Sequence, residues 1–384
     1  MAGVPREEYA WRVERARQLM ERHAVDALVV TDPTSYSYFA GHKPSGGLRS
    51  RPFLFVLPRQ GEPAIRCWAG PDVLARCYHQ PFPSWVEDRK FYPDLPFSTD
   101  STVDWGLREV LEDRGLRQSA IALELGRETW LGIAVNDFLR LREELPRARF
   151  VDSGRIIWGC RMIKSAWEIA CARKACELGG RAWQRALSEL RIGDSALEFK
   201  KKIYRYYAEE GLDLDFCPLT VLGATGANGT FQKGDVLYLD TGPSYLGYKM
   251  DFTRRAVFGP PSARQRYEHA TMWEILGRVM RQLKPGVPAS EVFAFSQQEL
   301  SRLDFRNYSD HPAKRIGHGI GLETEPPYFN AFDHTPLQAG MIVTPEPKIE
   351  TADGLLNAEE QVVITSDGYE LLSTHPTPEL LVIE

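Results

Sequence analysis

Asp235-Val236-Leu237-Tyr238-Leu239-Asp240-Thr241-Gly242 and, after a short linker, Tyr248-Lys249-Met250-Asp251-Phe252-Thr253-Arg254 form the stretch on which the fold turns. Both segments pattern as strands. The linker Gly242-Pro243-Ser244-Tyr245-Leu246-Gly247 is rich in turn formers, so a β-hairpin is expected. Pairing centred on Tyr245-Leu246 sets Asp240 opposite Asp251. Two carboxylates facing each other across a ladder repel and destabilise the pair. A cation between them removes that repulsion.

Three further segments carry chemistry of the same kind. Gly317-His318-Gly319-Ile320-Gly321 sets an imidazole between glycines, which permit tight backbone turns and close approach of a ligand. Met341-Ile342-Val343-Thr344-Pro345-Glu346-Pro347 is an apolar strand ending in a carboxylate between two prolines. Ala358-Glu359-Glu360-Gln361-Val362-Val363-Ile364-Thr365 begins another apolar strand with acidic residues. Singly, each is ordinary: acidic residues are mostly solvated, and a lone histidine is usually satisfied by hydrogen bonds. Together, Asp240, Asp251, His318, Glu346 and Glu359 make a hard, oxygen-rich ligand set suited to two divalent ions such as Mn, Co, Fe or Zn. Four carboxylates also balance the charge of two such ions.

The rest of the chain places this set in a second domain. The chain has 384 residues, more than one core usually serves. Residues 5–24 have helical spacing, and Ala27-Leu28-Val29-Val30-Thr31 reads as a strand ended by Asp32-Pro33. Phe53–Leu57 and Ala120–Leu123 read as further strands, 80–100 as irregular structure and Leu131–Leu145 as a helix, giving an α/β first domain. The boundary is read as 1–155 and 156–384. A long helix is expected over about 165–190, capped by Ser165 with Glu168, its Gly179-Gly180 pair permitting close packing. Helices are also expected at about 195–210, 262–283 and 288–303, separated by strands, so the second domain is α+β.

A net charge of −5 argues against nucleic acid or an anionic membrane surface as partner. No apolar run is long enough to span a bilayer. The charged N-terminus lacks the apolar core of a signal peptide, so a cytoplasmic location is expected. The six cysteines fit no metal-binding or disulfide pattern and read as reduced thiols.

The motifs resemble those of the superfamily containing methionine aminopeptidase, aminopeptidase P, prolidase and creatinase. Asp240 and Asp251 have its eleven-residue spacing, His318 stands in GHGIG, Glu346 in an EP segment, and Glu359 enters the last strand. Val25–Pro33 and Tyr38-Phe39-Ala40-Gly41 resemble the creatinase-type N-terminal domain, and Met162 through Ile169 resembles the start of the catalytic domain, so the likeness spans nearly the whole chain. It implies a pita-bread catalytic domain preceded by a smaller α/β creatinase-type domain, arranged as a homodimer. It further implies a metal-bridging hydroxide, with Glu346 moving the proton to the leaving amine, and a small peptide with an Xaa-Pro bond as substrate.

The chain departs from the family pattern at the acid/base positions. Family peptidases carry a histidine shortly before the first Asp, whereas Leu222–Phe231 contains none. They carry another after GHGIG, whereas Gly321-Leu322-Glu323-Thr324-Glu325-Pro326-Pro327 contains none. The Arg often found two positions before the last Glu is Asn357. His311, His334 and Glu325 are the candidates to replace the lost groups, with Tyr328 and Phe329 as candidate pocket walls and His375 read as exposed. Arg254 is a candidate to orient a carboxylate or to form a structural ion pair, and the basic, glycine-rich 43–53 segment reads as a solvated loop, with contact to an anionic substrate across a dimer as the alternative. Two further readings stay open: a non-peptidase small-molecule enzyme on the same scaffold (a C–N hydrolase or a lyase of the dimethylsulfoniopropionate type) and a non-catalytic binding protein.

Overall fold

The computed structural model describes residues 3–44, 51–93, 105–214, 219–222 (backbone only), 229–304, 315–351 and 353–384. The chain divides into two compact units, Met1–Arg161 and Met162–Glu384. This division lies six residues beyond the one read from sequence. Helix Gly154–Arg161 belongs to the first unit, where the Gly159 carbonyl accepts a 2.9 Å hydrogen bond from Arg15 Nε and Leu19 occupies the space a Cβ at Gly159 would need.

The first unit is built on a six-stranded sheet. Its strands are β1 (Ala27–Val30), β2 (Leu54–Pro58), β3 (Ala64–Trp68), β4 (Asp88–Tyr92), β5 (Ala120–Leu123) and β6 (Arg149–Asp152), in the spatial order β4-β3-β2-β1-β5-β6. Helices Arg6–Arg22 and Val135–Glu144 fall within the segments expected to be helical. The 80–100 region is not wholly irregular: Asp88–Tyr92 pairs parallel with β3. Its sequence, DRKFY, lacks alternation of apolar and polar residues because β4 is an edge strand and only half-buried.

The second unit carries two main sheets. One has the order β19 (Leu381–Ile383), β11 (Phe252–Phe258), β8 (Val236–Thr241), β7 (Leu219–Leu222). The other has the order β13 (Thr324–Tyr328), β12 (Gly317–Ile320), β14 (Ile342–Pro345), β17 (Val362–Ile364), β18 (Tyr369–Leu371). Two small hairpins, β9 (Ser244–Tyr245) with β10 (Tyr248–Lys249) and β15 (Lys348–Thr351) with β16 (Gly354–Asn357), complete the strands. Helices Ala166–Ser188, Ala196–Glu209, Ala263–Met280 and Ala289–Ser301 all lie where helical spacing placed them. The Ser165/Glu168 capping box forms in both directions. Apolar side chains of Ala166–Ser188 and Ala196–Glu209 pack with β8 and β11 in one core, and those of Ala263–Met280 and Ala289–Ser301 pack with β14 and β17 in another.

The hairpin register differs from the expected one. Tyr245 pairs with Tyr248, so the turn is Leu246-Gly247, and Asp240 faces Thr253 rather than Asp251. Both turn residues have positive φ, 50° at Leu246 and 87° at Gly247, the combination a two-residue turn needs to match strand twist. The register is displaced by two residues, which keeps every side chain on its face, as the period of a strand is two. Asp240 and Asp251 therefore remain on one face, now as diagonal neighbours.

Candidate metal centre

Each of the five expected ligands sits at or beside a strand end. Asp240 is the penultimate residue of β8, Asp251 immediately precedes β11, and His318 lies in β12. Glu346 follows β14, and Glu359 lies between β16 and β17. One ligand atom each of Asp251, His318 and Glu359 lies within 4.8 Å of the others. His318 Nε2 is 3.4 Å from Asp251 Oδ2.

Packing and hydrogen bonds set each group. Met250 is fully buried, and its side chain fills the space a Cβ at Gly179 would require, which fixes the residue before Asp251. The amide of Asp251 donates to Gln361 Oε1 at 2.8 Å, and Gln361 Nε2 donates to the Lys249 carbonyl at 3.1 Å. Gln361 thus ties the Asp251 arm to the Glu359 arm. Thr253 Oγ1 donates to Glu359 Oε2 at 2.6 Å, and Asn357 Nδ2 donates to Thr253 Oγ1 at 3.2 Å. The side chain of Glu360, by contrast, forms a buried ion pair with Arg254 at 3.1 Å.

His318 Nδ1 lies 3.0 Å from the Gly319 carbonyl. A carbonyl only accepts, so Nδ1 carries the proton and Nε2 keeps its lone pair toward Asp251. The flanking glycines serve close strand packing rather than the expected tight turns. A Cβ at Gly317 would meet the Thr344 carbonyl and Phe329, and one at Gly319 would meet the Pro326 carbonyl.

The electrostatics are those of a cation site. Burial, and then the charge of Glu346, push the Asp240 carboxyl up to about 6. Burial followed by the neighbouring Asp240 and Glu346 charges holds Asp251 well above the usual carboxylate range. Glu359 is raised in the same way, by burial and then by Asp251. Burial lowers His318 to about 4, leaving a neutral imidazole ready to ligate. Lys348 Nζ lies 2.7 Å from Glu346 Oε2. A buried cluster of mutually repelling carboxylates and one neutral imidazole fits divalent cations by charge and by donor type.

The profile of metallopeptidase family M24 matches residues 170–366, and that of the creatinase/prolidase N-terminal domain matches residues 12–163. The chain belongs to metallopeptidase family M24. As a member of M24 it is a metal-dependent hydrolase with divalent metal as cofactor, and its two-domain, pita-bread architecture is the expected one. The Xaa-Pro dipeptidase of Pyrococcus furiosus is 24% identical over 372 residues, covering 94% of this chain and 97% of that protein. The ectoine hydrolase of Halomonas elongata is 25% identical, covering 97% and 96% respectively. The crystal structure of a prolidase from Thermococcus sibiricus shares the fold with a TM-score of 0.80 at 20% identity, covering 98% of this chain and 99% of that one.

The residues proposed from sequence to replace the missing M24 histidines fare differently. His311 lies outside the described residues. His334 is exposed and tied to Ser290 Oγ at 2.9 Å near the start of helix Ala289–Ser301. Glu325 has a fully buried carboxylate that is ion-paired with Lys164. Phe329 is core, and Tyr328 pairs with His318 across β12 and β13. Arg254 ion-pairs with the Glu360 carboxylate and donates a 3.1 Å hydrogen bond to the main-chain carbonyl of Glu359. His375 is exposed, as expected. Thr253, Gln361 and Lys348 were missed from sequence. The only available signal was alternation, which puts Thr253 on the face of Asp251 and Lys348 on that of Glu346.

Proposed function

We propose that this M24 enzyme is an Xaa-Pro-type peptidase acting on small peptides, with two divalent ions (Mn, Co, Fe or Zn) held by Asp240, Asp251, His318, Glu346 and Glu359. The observation that carries this reading is the convergence of Asp251, His318 and Glu359 with raised carboxyl and lowered imidazole pKa values. The Xaa-Pro dipeptidase relative, matched over nearly its whole length, supports the substrate class. Divalent ions bound there lower the pKa of water and polarise a scissile carbonyl. Glu346, buried at the cluster, takes the proton of the attacking water and delivers it to the leaving amine. Thr253 and Gln361 hold the ligand arms in place throughout. A cytoplasmic homodimer is the setting we propose, supported by the family resemblance. No helix among the described residues is long and apolar enough to cross a membrane.

One observation favours a second reading. Among the described residues, His318 is the only histidine placed at the cluster, and His334 and Glu325 are committed elsewhere. A hydrolase of a C–N bond in a small molecule other than a peptide needs a different proton donor, and the ectoine hydrolase relative has comparable similarity. Metal-loaded protein assayed against a panel of Xaa-Pro dipeptides and longer Xaa-Pro peptides separates the two. Turnover upholds the peptidase; none at full metal occupancy removes it.

A further inference from the structure

Arg255 stands two residues beyond Thr253 in β11, so the two side chains share a face of the strand. It is 2% exposed, and its Nε and both terminal nitrogens have no hydrogen-bond partner among the described residues. The neighbouring cations are engaged: Arg254 by Glu360, and Arg264 by Glu268 and Asp353. Two buried residues of helix Ala263–Met280 lie within range of the Arg255 charge, since Glu268 acts on Arg255 and Arg255 acts on His269. Each also carries an acceptor without a partner. Arg264 holds Glu268 Oε1 at 3.0 Å and leaves Oε2 unengaged. His269 Nε2 lies 2.7 Å from the Thr377 carbonyl, which only accepts, so Nε2 carries the proton and the partnerless Nδ1 keeps its lone pair.

The hydrogen bonds at the metal centre add a third such acceptor. A carboxylate that binds metal only accepts, so Thr253 Oγ1 gives its proton to Glu359 Oε2 and receives Asn357 Nδ2–H on a lone pair. This fixes the Asn357 amide with Nδ2 toward Thr253 and Oδ1 away from it. Asn357 is buried, and its Oδ1 has no partner among the described residues. A buried acceptor calls for a donor. We infer that Arg255 is a positioning residue of the metal centre: bridged by buried water, its guanidinium holds Asn357 Oδ1 and, through Asn357 and Thr253, orients Glu359. A guanidinium has five N–H donors and no acceptor, which complements the three unengaged acceptors. Internal water is found where buried polar groups lack protein partners. A positive charge at the far end also polarises the chain of hydrogen bonds toward Glu359. The inference rests on Glu359 as a metal ligand, and not on the identity of the substrate.

The sign of the effect separates positioning from plain charge. Removing a cation near a divalent-ion site strengthens metal binding by charge alone, whereas removing a positioning group weakens it. The test is the affinity of the full chain for Zn2+, by competition with a chromophoric chelator, with the Tm of each metal-free variant recording any loss of fold. Arg255→Met is expected to bind Zn2+ about tenfold more weakly, the lower end of the range for groups that support a ligand. In an Asn357→Leu background the same change is expected to have no further effect. Arg255→Lys keeps the charge without the planar fork, and its affinity is expected to fall between those of wild type and Arg255→Met. Native affinity in either variant, tighter binding by Arg255→Met, or an equal loss with and without the Asn357 amide overturns the inference. Glu359→Gln with native affinity removes the ligand reading instead, so the two fail separately.

Discussion

Thr253 faces Asp240 across the β8–β11 ladder and donates a 2.6 Å hydrogen bond to Glu359 Oε2. One residue thus pairs through its backbone with the first of the five expected ligands and through its hydroxyl with the last, which lie on different arms of the catalytic unit. Its own orientation is set by Asn357 Nδ2 at 3.2 Å.

Thr253→Val keeps the strand shape and deletes the donor. Glu359 then loses its orienting partner, and groups supporting a ligand in this way typically contribute about 10–100-fold in metal affinity. We expect weaker metal binding in that range with a normal circular dichroism spectrum. Competition with a chromophoric chelator measures it, and unchanged affinity would remove Thr253 from the site.

The pH dependence of the metal-free protein follows from the shifted groups. In the unfolded chain the carboxyls titrate near about 4. In the folded chain Asp240 titrates at about 6, and Asp251 and Glu359 are raised well above their ordinary values. Between those limits the folded state holds protons that the unfolded state has released, so stability falls as pH rises from about 4 through 6 and beyond. His318 opposes this: its folded value of about 4 lies below its unfolded one, so it adds stability as pH rises toward about 6.5. Three carboxyls outweigh one imidazole. Thermal melts of chelator-treated protein should show Tm falling from about pH 5 to about pH 8, with added divalent ion raising Tm most at the higher pH. A metal increment in Tm independent of pH would contradict the assignment.

Gly179→Ala tests the link between helix Ala166–Ser188 and the second Asp. The added methyl occupies the place of the Met250 side chain, which is fully buried. Overpacking of this kind costs about 1–3 kcal/mol. Because Met250 precedes Asp251, we expect lower metal affinity in addition to the lower Tm. A loss of stability with native metal affinity would show that Met250 does not position Asp251.

The ligands were legible because each stands in a short local motif; what joins them was not. Thr253 and Glu359 are 106 residues apart, and Asp251 and Gln361 are 110 apart. Such pairs exist only once two sheets are in place, and nothing in either local sequence announces them. The hairpin register was misread because Leu246, an unusual residue for positive φ, occupies the first turn position. The inference about Asp240 and Asp251 survived because a two-residue displacement preserves the face. The ion pair of Glu325 was hidden for a related reason. Its partner Lys164 lies 161 residues earlier, so the carboxylate looked free in the sequence.

Glu325 and Lys164 supply the last prediction, because a catalytic and a structural carboxylate respond oppositely to a compensating change. Both side chains are almost wholly buried. Glu325→Gln leaves the Lys164 ammonium without its counter-charge, and breaking a buried pair in this way costs about 3–5 kcal/mol. Replacing both partners by methionine removes the buried charges together and should recover most of that stability, since apolar replacement of a buried pair is often neutral. If Glu325 only supports the fold, the double variant also regains activity per folded, metal-loaded molecule. Denaturant titration and steady-state assays of the single and double variants decide it. A double variant that is stable and metal-replete yet inactive would return Glu325 to the catalytic machinery.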